Sequence, residues 1–73
     1  MIYYNMKVKL GKYKHFKGPE YEVIGLAHHS ETLEEFVVYY DSKKQLWARP
    51  AKIFNEEVEI DGVMVPRFKY IGK

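Results

Sequence analysis

Apolar and polar residues alternate in several stretches of this chain with a period of two, the spacing of a β-strand, whose successive side chains point to opposite faces. The first such stretch is "KLGKYKHFKG", which Gly18 and Pro19 close as a turn. It is followed by "EYEVIGLA", which Gly25 interrupts as a bulge or bend would, and by "EFVVYYD". Because β-branched and aromatic residues dominate these stretches, the pattern predicts strands.

The second half of the chain predicts shorter elements. We expect a turn at "DSKK", a short strand at "QLWARP" and one helical turn at "PAKIF", since proline is tolerated at the first position of a helix. Ile53 and Phe54 of that turn would close one end of the core. The stretch "VEIDGVMV" places Asp61 and Gly62 between alternating apolar residues, which is typical of a type I′ hairpin. The last predicted strand is "RFKYI".

These five or six short strands and one helical turn predict a mainly β domain, a small and strongly bent antiparallel β-barrel of the SH3-like type. Closing the barrel would remove exposed sheet edges. The chain has 73 residues and no cysteine, so side chains alone must stabilise a single domain. We expect residues 10–73 to form that domain and residues 1–9 to be an extension or a lead-in to the first strand.

The chain carries no sign of a membrane segment or an export signal. No apolar run approaches the ~20 residues of a membrane helix, and the start "MIYYNMKVKL" lacks the basic-then-apolar order of a signal peptide. A chain without cysteine suits a reducing compartment. We therefore expect a cytoplasmic protein with no membrane partner.

Charge is sorted into blocks, although the net charge is only +2. Residues 1–19 hold five lysines and no acid, residues 20–41 hold six acids and no Lys or Arg, and the sign continues to alternate afterwards. Opposite charges on neighbouring antiparallel strands would favour one register. Closure of a barrel would also bring the two basic ends of the chain together, as one face that attracts phosphates or an acidic partner. That basic face would consist of Lys12, Lys14, Arg67 and Lys69.

The stretch "HHSETLEE" raises the questions of metal binding and catalysis. Metal is not favoured, because His28 and His29 point to opposite faces of an extended chain and His15 would have to come from another strand. A Ser-His-acid triad is not favoured either, because its members converge from separate elements. We interpret the stretch as a folded corner, in which Ser30 and Thr32 bond nearby backbone N–H groups.

Trp47 and Arg49 lie two residues apart and share a face if "QLWARP" is extended. On an exposed face, the indole would stack on a base or a proline, and the guanidinium would bind a phosphate or a carboxylate. A lone tryptophan in a small barrel more often belongs to the core, which is the placement we favour. Tyr13 presents the same choice between core and surface.

The chain resembles a small bacterial domain family of unknown function. The resemblance lies in four blocks that occur in order, "GKYKHFKG", "EYEVIGLAHHSETLEEFVVY", "LWARP" and "DGVMVPRFKYI". It covers the chain from about Leu10 to Ile71 and implies a compact, mostly β fold. It implies no catalytic residue, cofactor or partner.

The residues favour a binding module that contacts nucleic acid or an acidic protein segment through its basic face. They predict no catalytic residue, no metal ligand and no cofactor, and an enzyme is not favoured. The candidate contact residues are Tyr13, Lys14, His15, His29, Glu31, Trp47, Arg49 and Arg67.

Two alternatives stay open at this point. One is a small-molecule or catalytic site at the corner from His28 to Glu35, with His29 as the base and Glu31 or Glu34 as its partner. The other is a homodimer formed through an aromatic sheet edge at "FVVYYD".

Overall fold

The computed structural model describes residues 8–73 as seven strands and one short helix. The strands are β1 (Gly11–His15), β2 (Glu20–His28), β3 (Glu35–Tyr40), β4 (Leu46–Pro50), β5 (Glu57–Ile60), β6 (Val63–Pro66) and β7 (Phe68–Gly72). The helix α1 (Ala51–Phe54) follows β4 directly. The mainly β prediction is confirmed, with seven strands in place of the five or six expected.

The strands form two antiparallel sheets. The larger sheet has the order β4-β3-β2-β1-β7, and β5 pairs only with β6 as a separate hairpin. The first and last strands therefore meet, as the sequence predicted. Within residues 8–73, however, no pairing joins β4 to β7, so the closed barrel that we expected is not formed. The chain between these two edges folds as α1 and the β5–β6 hairpin, which leaves the larger sheet open.

The expectation of an aromatic edge at "FVVYYD" is wrong. These residues lie in β3, which pairs with β2 on one side and with β4 on the other. Both rows of backbone hydrogen-bonding groups in β3 are used inside the sheet, so β3 offers no edge to a second copy.

The predicted hairpin and the predicted bulge are confirmed. Ile60 pairs with Val63 across the turn, and Asp61 and Gly62 adopt φ values of 53° and 81°, the two positive angles of a type I′ turn. In β2, the pairing with β3 shifts register between Val23 and Gly25, which is the position where the glycine indicated a bulge.

Opposite charges face each other between β1 and β2. Lys12 lies opposite Glu22 and Lys14 lies opposite Glu20, so the charge blocks agree with the observed register. On its other side, Lys14 lies opposite Lys69 of β7.

The core is a cluster of aromatic and β-branched side chains on one face of the larger sheet, which we call the inner face. Its buried members are Val8, Tyr13, Val23, Val37, Tyr39, Phe54 and Phe68. Phe54 closes the core as predicted: its ring stacks on Phe68 with centroids 4.3 Å apart and meets Tyr13 edge-on at 5.2 Å. Ile53 beside it is only half-buried.

Tyr13 is a core residue and not a surface contact. Its side chain is 5% exposed, and its hydroxyl both donates to the carbonyl of Lys9 and accepts from the Lys9 N–H at 2.8 Å. Burial raises the pKa of Tyr13 above its ordinary value. Tyr13 is buried because β1 lies between β2 and β7, so its inner-face side chain is covered from both sides.

Part of the predicted N-terminal extension packs on the domain. Val8 is buried in the core, and Lys9 bonds Tyr13; the rest of the extension, residues 1–7, lies outside the described residues. In the part of the chain that the structure describes, no helix is long and apolar enough to cross a membrane.

Candidate functional site

The end of the inner face that carries β4 forms an open groove. Trp47 lies opposite Tyr39 and Arg49 lies opposite Val37 in the β3–β4 register, so the side chains of Trp47 and Arg49 share the face that holds the core. The groove has a volume of about 190 Å³. Its lining residues are Tyr21, Tyr39, Asp41, Trp47 and Arg49.

Trp47 forms an exposed wall of this groove, so its predicted placement in the core is wrong. The side chain is 47% exposed, because β4 is the edge strand of an open sheet and no strand follows it. Its indole Nε1 donates a hydrogen bond of 2.9 Å to Oδ2 of Asp41. The indole is therefore exposed and at the same time held in one orientation.

Asp41 holds the β3–β4 turn as well as the indole. Its Oδ1 accepts the backbone N–H groups of Lys43 and Gln45, both at 2.9 Å. The hydrogen bond from Trp47, followed by the bond from Gln45, lowers the pKa of Asp41 below its ordinary value. The Asp41 carboxylate is thus ionised at neutral pH, and both of its oxygens accept hydrogen bonds from N–H groups of the protein.

Arg49 lies half-buried on the aromatic floor of the groove. Its Nε donates a hydrogen bond of 3.2 Å to the Tyr39 hydroxyl, and its guanidinium carbon lies 5.5 Å from the centre of the Phe68 ring. No carboxylate of the described residues lies within ion-pairing distance of this guanidinium. Arg49 is therefore oriented by neutral groups and forms no ion pair within residues 8–73, although the Asp41 carboxylate lines the same groove.

Aromatic rings continue from the groove to β1. Tyr21 meets Tyr39 at 5.4 Å and Phe68 at 5.6 Å. His15 meets Phe68 at 4.9 Å and Tyr21 at 6.3 Å. The predicted contact residue His15 is therefore linked to Arg49 through the Phe68 ring and to the groove through Tyr21.

His15 lies in a region of positive charge. Its Nδ1 accepts the backbone N–H of Lys17 at 3.1 Å. Burial lowers the pKa of His15 below its ordinary value, and the charges of Arg67, Lys17 and Arg49 lower it further. The imidazole is neutral at pH 7, and three cations act on it from different parts of the chain.

The predicted basic face is formed only in part. Lys14 lies opposite Lys69, and Lys12 lies opposite Gly72. Arg67 does not join them as a free cation: it forms an ion pair of 3.3 Å with Glu56, and its guanidinium lies 6.0 Å from the centre of the Phe16 ring. The positive charge of Arg67 lowers the pKa of His15.

His29 and Glu31 lie at the corner that follows β2, away from the groove. The Nδ1 of His29 accepts the backbone N–H groups of Glu31 and Thr32 at 3.1 and 3.3 Å. The hydroxyl of Thr32 accepts the N–H of Glu34 at 3.2 Å. The predicted folded corner is confirmed for Thr32, but the Ser30 hydroxyl forms no such bond within the described residues, and His29 is the main acceptor.

The groove nearest this corner does not include its histidines. It is lined by Thr32, Glu34, Glu35, Ala51 and Lys52, and His28 lies 3.9 Å from the carboxylate of Glu35. Within residues 8–73, no group of three or more His, Cys, Asp or Glu side chains is placed to hold a metal ion. The geometry thus gives His29 a role in holding the loop, and within the described residues neither the Glu31 nor the Glu34 carboxylate lies within ion-pairing distance of its imidazole.

Three residues of the groove were absent from the sequence-based set. Tyr21 and Tyr39 belong to predicted strands, but the alternation of residues does not say which tyrosines meet across them. Asp41 had a usable signal, because an aspartate that opens a turn often binds the backbone N–H two residues on. Its bond to Trp47, by contrast, depends on the pairing of β3 with β4.

Comparison with known proteins places the chain in a family. The family model described as "Protein of unknown function (DUF1653)" matches residues 11–70. The chain belongs to the DUF1653 family. This confirms the resemblance to a family of unknown function that the sequence blocks indicated.

A solved structure of a DUF1653 protein supports the fold. The crystal structure of a protein belonging to DUF1653 from Bordetella bronchiseptica is similar to this chain with a TM-score of 0.81 and 36% sequence identity, over 90% of each chain. A search of the curated proteins gave no significant match. The DUF1653 description names no activity, so function is inferred from the geometry of the groove.

Proposed function

We propose that this DUF1653 domain is a binding module for single-stranded nucleic acid, which it holds at the groove of Trp47 and Arg49. The observation that carries the proposal is the placement of an exposed, hydrogen-bonded indole beside a guanidinium that has no ion-pair partner in the described chain. A held indole stacks on a base with little loss of side-chain entropy. Such stacking contributes about 1–3 kcal/mol per base.

Arg49 would bind the phosphate that accompanies the base stacked on Trp47. With Nε bonded to Tyr39, the terminal amino groups of Arg49 are the donors that a phosphate oxygen would use. A guanidinium presents two parallel N–H groups to a phosphate, which gives geometric specificity as well as energy. Base and phosphate are thereby recognised by two residues on the same face of β4.

Positive charge along the row of rings supports a polyanionic ligand. The charges of Arg67, Lys17 and Arg49 all act on His15, so three cations lie near the β1 end of this row. A strand that follows these rings would gain phosphate contacts, whose contribution falls as salt rises.

Aromatic walls favour nucleic acid over an acidic protein segment. Trp47 is exposed and Tyr21 is half-buried at the groove, and flat rings suit a flat base better than an aspartate or glutamate side chain. An acidic segment would use Arg49 but would leave the indole uncovered. We therefore take the acidic segment as an outcome of the test.

Two finer expectations belong to this proposal. A cytoplasmic location agrees with a cysteine-free chain and would give the module access to nucleic acid. A strongly bent, SH3-like arrangement of the strands also stays a prediction. The binding proposal itself needs only the open inner face beside β4.

The single tryptophan of the chain makes a direct test available. The intrinsic fluorescence of Trp47 is followed while twelve-residue oligomers of deoxythymidine or uridine are added at ~50 mM salt, where phosphate contacts are strongest. We expect saturable quenching, and an affinity that falls as salt is raised. Arg49→Gln should weaken binding ~tenfold, the effect of one charge-assisted contact.

Lys12→Gln is the matched control, because it removes the same charge from the opposite face of β1. It should change the affinity much less than Arg49→Gln does. Absence of quenching and of NMR shifts around Trp47 at low salt would overturn the proposal. Equal affinity for a polyglutamate peptide would overturn it in favour of an acidic protein partner.

A further inference from the structure

A second groove lies between β1, β7 and the β5–β6 hairpin. Its volume is about 480 Å³, within the ~300–1,000 Å³ range of small-molecule sites. The apolar wall is formed by Phe16, Ile60, Val65 and Pro66. Ile60 is 41% exposed, so this wall is available to a ligand.

Two lysines line this groove and form no ion pair within the described residues, although Lys14 lies opposite Glu20 on its other side. Lys14 and Lys69 both line it, and they face each other across β1 and β7. Like charges in directly opposite positions destabilise a sheet. No carboxylate of the described chain lies within ion-pairing distance of either ammonium, and no acidic residue lines the groove.

From this juxtaposition, we propose that the groove binds a small amphipathic anion, an apolar acyl or aryl body that carries one carboxylate. The body would cover the aliphatic wall that the hairpin leaves exposed. The carboxylate would lie between the two ammonium groups and offset their mutual repulsion. This groove is separate from the Trp47 groove, although His15 belongs both to its lining and to the row of rings that runs towards Arg49.

Charge complementarity favours this occupant over two others. A second copy of the chain would bring its own Lys14 and Lys69 to the same place, which would add to the repulsion. The lining combines the rings of His15 and Phe16 with a wall of Ile60, Val65 and Pro66, and this aliphatic wall suits an apolar tail better than a base. An apolar body with a single negative head matches both the wall and the lysines.

The test is an NMR titration of the full chain, labelled with ¹⁵N, with decanoate as the probe. We expect saturable shifts at the amides of Phe16, Ile60 and Val65. Decyltrimethylammonium has the same apolar tail with the opposite charge, and it should bind much more weakly. Acetate, which has the head without the body, should leave these amides unshifted.

Charge variants separate a built site from a general apolar surface. Lys14→Gln and Lys69→Gln should each weaken decanoate binding ~fivefold, as expected for one charge-assisted contact. Lys69→Arg keeps the positive charge and should retain most of the native affinity for decanoate. Lys12→Gln should leave that affinity unchanged. The dispersion of each spectrum shows directly that each variant is folded.

Three results would overturn the inference. Equal binding of decanoate and decyltrimethylammonium would show that charge plays no part. Shifts centred on the Trp47 indole would place the anion in the other groove. Unchanged affinity in both folded lysine-to-glutamine variants would remove the lysines from the site.

Discussion

The indole Nε1 of Trp47 donates a hydrogen bond of 2.9 Å to Oδ2 of Asp41, which lies at the start of the turn between β3 and β4. The other carboxylate oxygen accepts two backbone N–H groups of the same turn. One side chain therefore orders the turn and orients the exposed wall of the groove. The position of Trp47 depends on a residue outside its own strand.

Asp41→Asn should loosen the indole without unfolding the domain. An amide has one acceptor oxygen, so it cannot serve both the turn and Trp47 as the carboxylate does. We expect stronger quenching of Trp47 fluorescence by acrylamide and weaker oligonucleotide binding. Asp61→Asn, in the other hairpin turn, is the control and should leave both quantities unchanged. Identical acrylamide quenching in Asp41→Asn would mean that packing alone positions the indole.

The pH dependence of stability should reveal the same carboxylate. Because the pKa of Asp41 is lowered in the folded chain, its stabilising effect is present above the unfolded value, near pH ~4. The effect is lost as pH falls through the lower folded value. Urea unfolding should therefore show a stability gap between the native protein and Asp41→Asn at pH 7, closing below about pH 4. A gap independent of pH would contradict this.

His15 should titrate below the ordinary histidine value. Burial and the charges of Arg67 and Lys17 lower its pKa, so protonation favours the unfolded chain. The free energy of unfolding should therefore decrease as pH falls from ~6.5, the pKa of histidine in the unfolded chain, to the lower pKa of His15 in the folded chain. NMR titration of the imidazole measures the pKa directly. Arg67→Gln should raise it, and Lys17→Gln should raise it less; a pKa at or above ~6.5 in the native protein would contradict the placement.

Gly62→Val should destabilise the β5–β6 hairpin. Gly62 has φ +81°, a conformation that costs a side-chain-bearing residue about 1–2 kcal/mol. In a domain of this size, each kcal/mol corresponds to roughly 4–8 °C in Tm. Gly25→Val is the matched control, because Gly25 has no positive φ and a Cβ there meets nothing within 4 Å. Thermal unfolding should separate the two variants; equal Tm values would contradict the turn assignment.

Phe54→Ala should remove most of the stability of the domain. The ring is buried, stacked on Phe68 and in edge contact with Tyr13, and such truncations cost about 3–5 kcal/mol. Native domains have only about 0.05–0.15 kcal/mol of stability per residue, or roughly 4–11 kcal/mol for a chain of this length, so this loss is a large fraction of the total. Phe54→Leu should cost clearly less in urea unfolding. A loss below ~1 kcal/mol for the alanine variant would place Phe54 outside the core.

Local elements were predictable because they depend on a few neighbouring residues. Alternation identified β1 and β2, β-branched and aromatic composition identified β3, and Asp61 with Gly62 identified the hairpin through the positive φ values that a type I′ turn requires. The helical turn after Pro50 and the bulge at Gly25 were predicted in the same way. Each of these preferences acts within a short segment, so the sequence alone carries it.

The groove was only partly predictable. The spacing of Trp47 and Arg49 placed both side chains on one face. The residue type, however, favoured burial of the indole, because tryptophan is usually covered in small domains. Whether it is covered depends on which strand comes next in the sheet, and none follows β4. Tyr13, with the same choice, is buried because β1 has neighbours on both sides.

By itself, the sequence determined a mainly β chain, its turns, the positions of most strands and the charge pattern that agrees with the register of β1 and β2. Only the tertiary structure decided that the larger sheet stays open, that Asp41 holds Trp47, and that Lys14 meets Lys69 beside an apolar wall. The physical reason is range: backbone preferences act between neighbours in the chain. Exposure and charge balance, in contrast, are set by side chains that strand pairing brings together from distant positions.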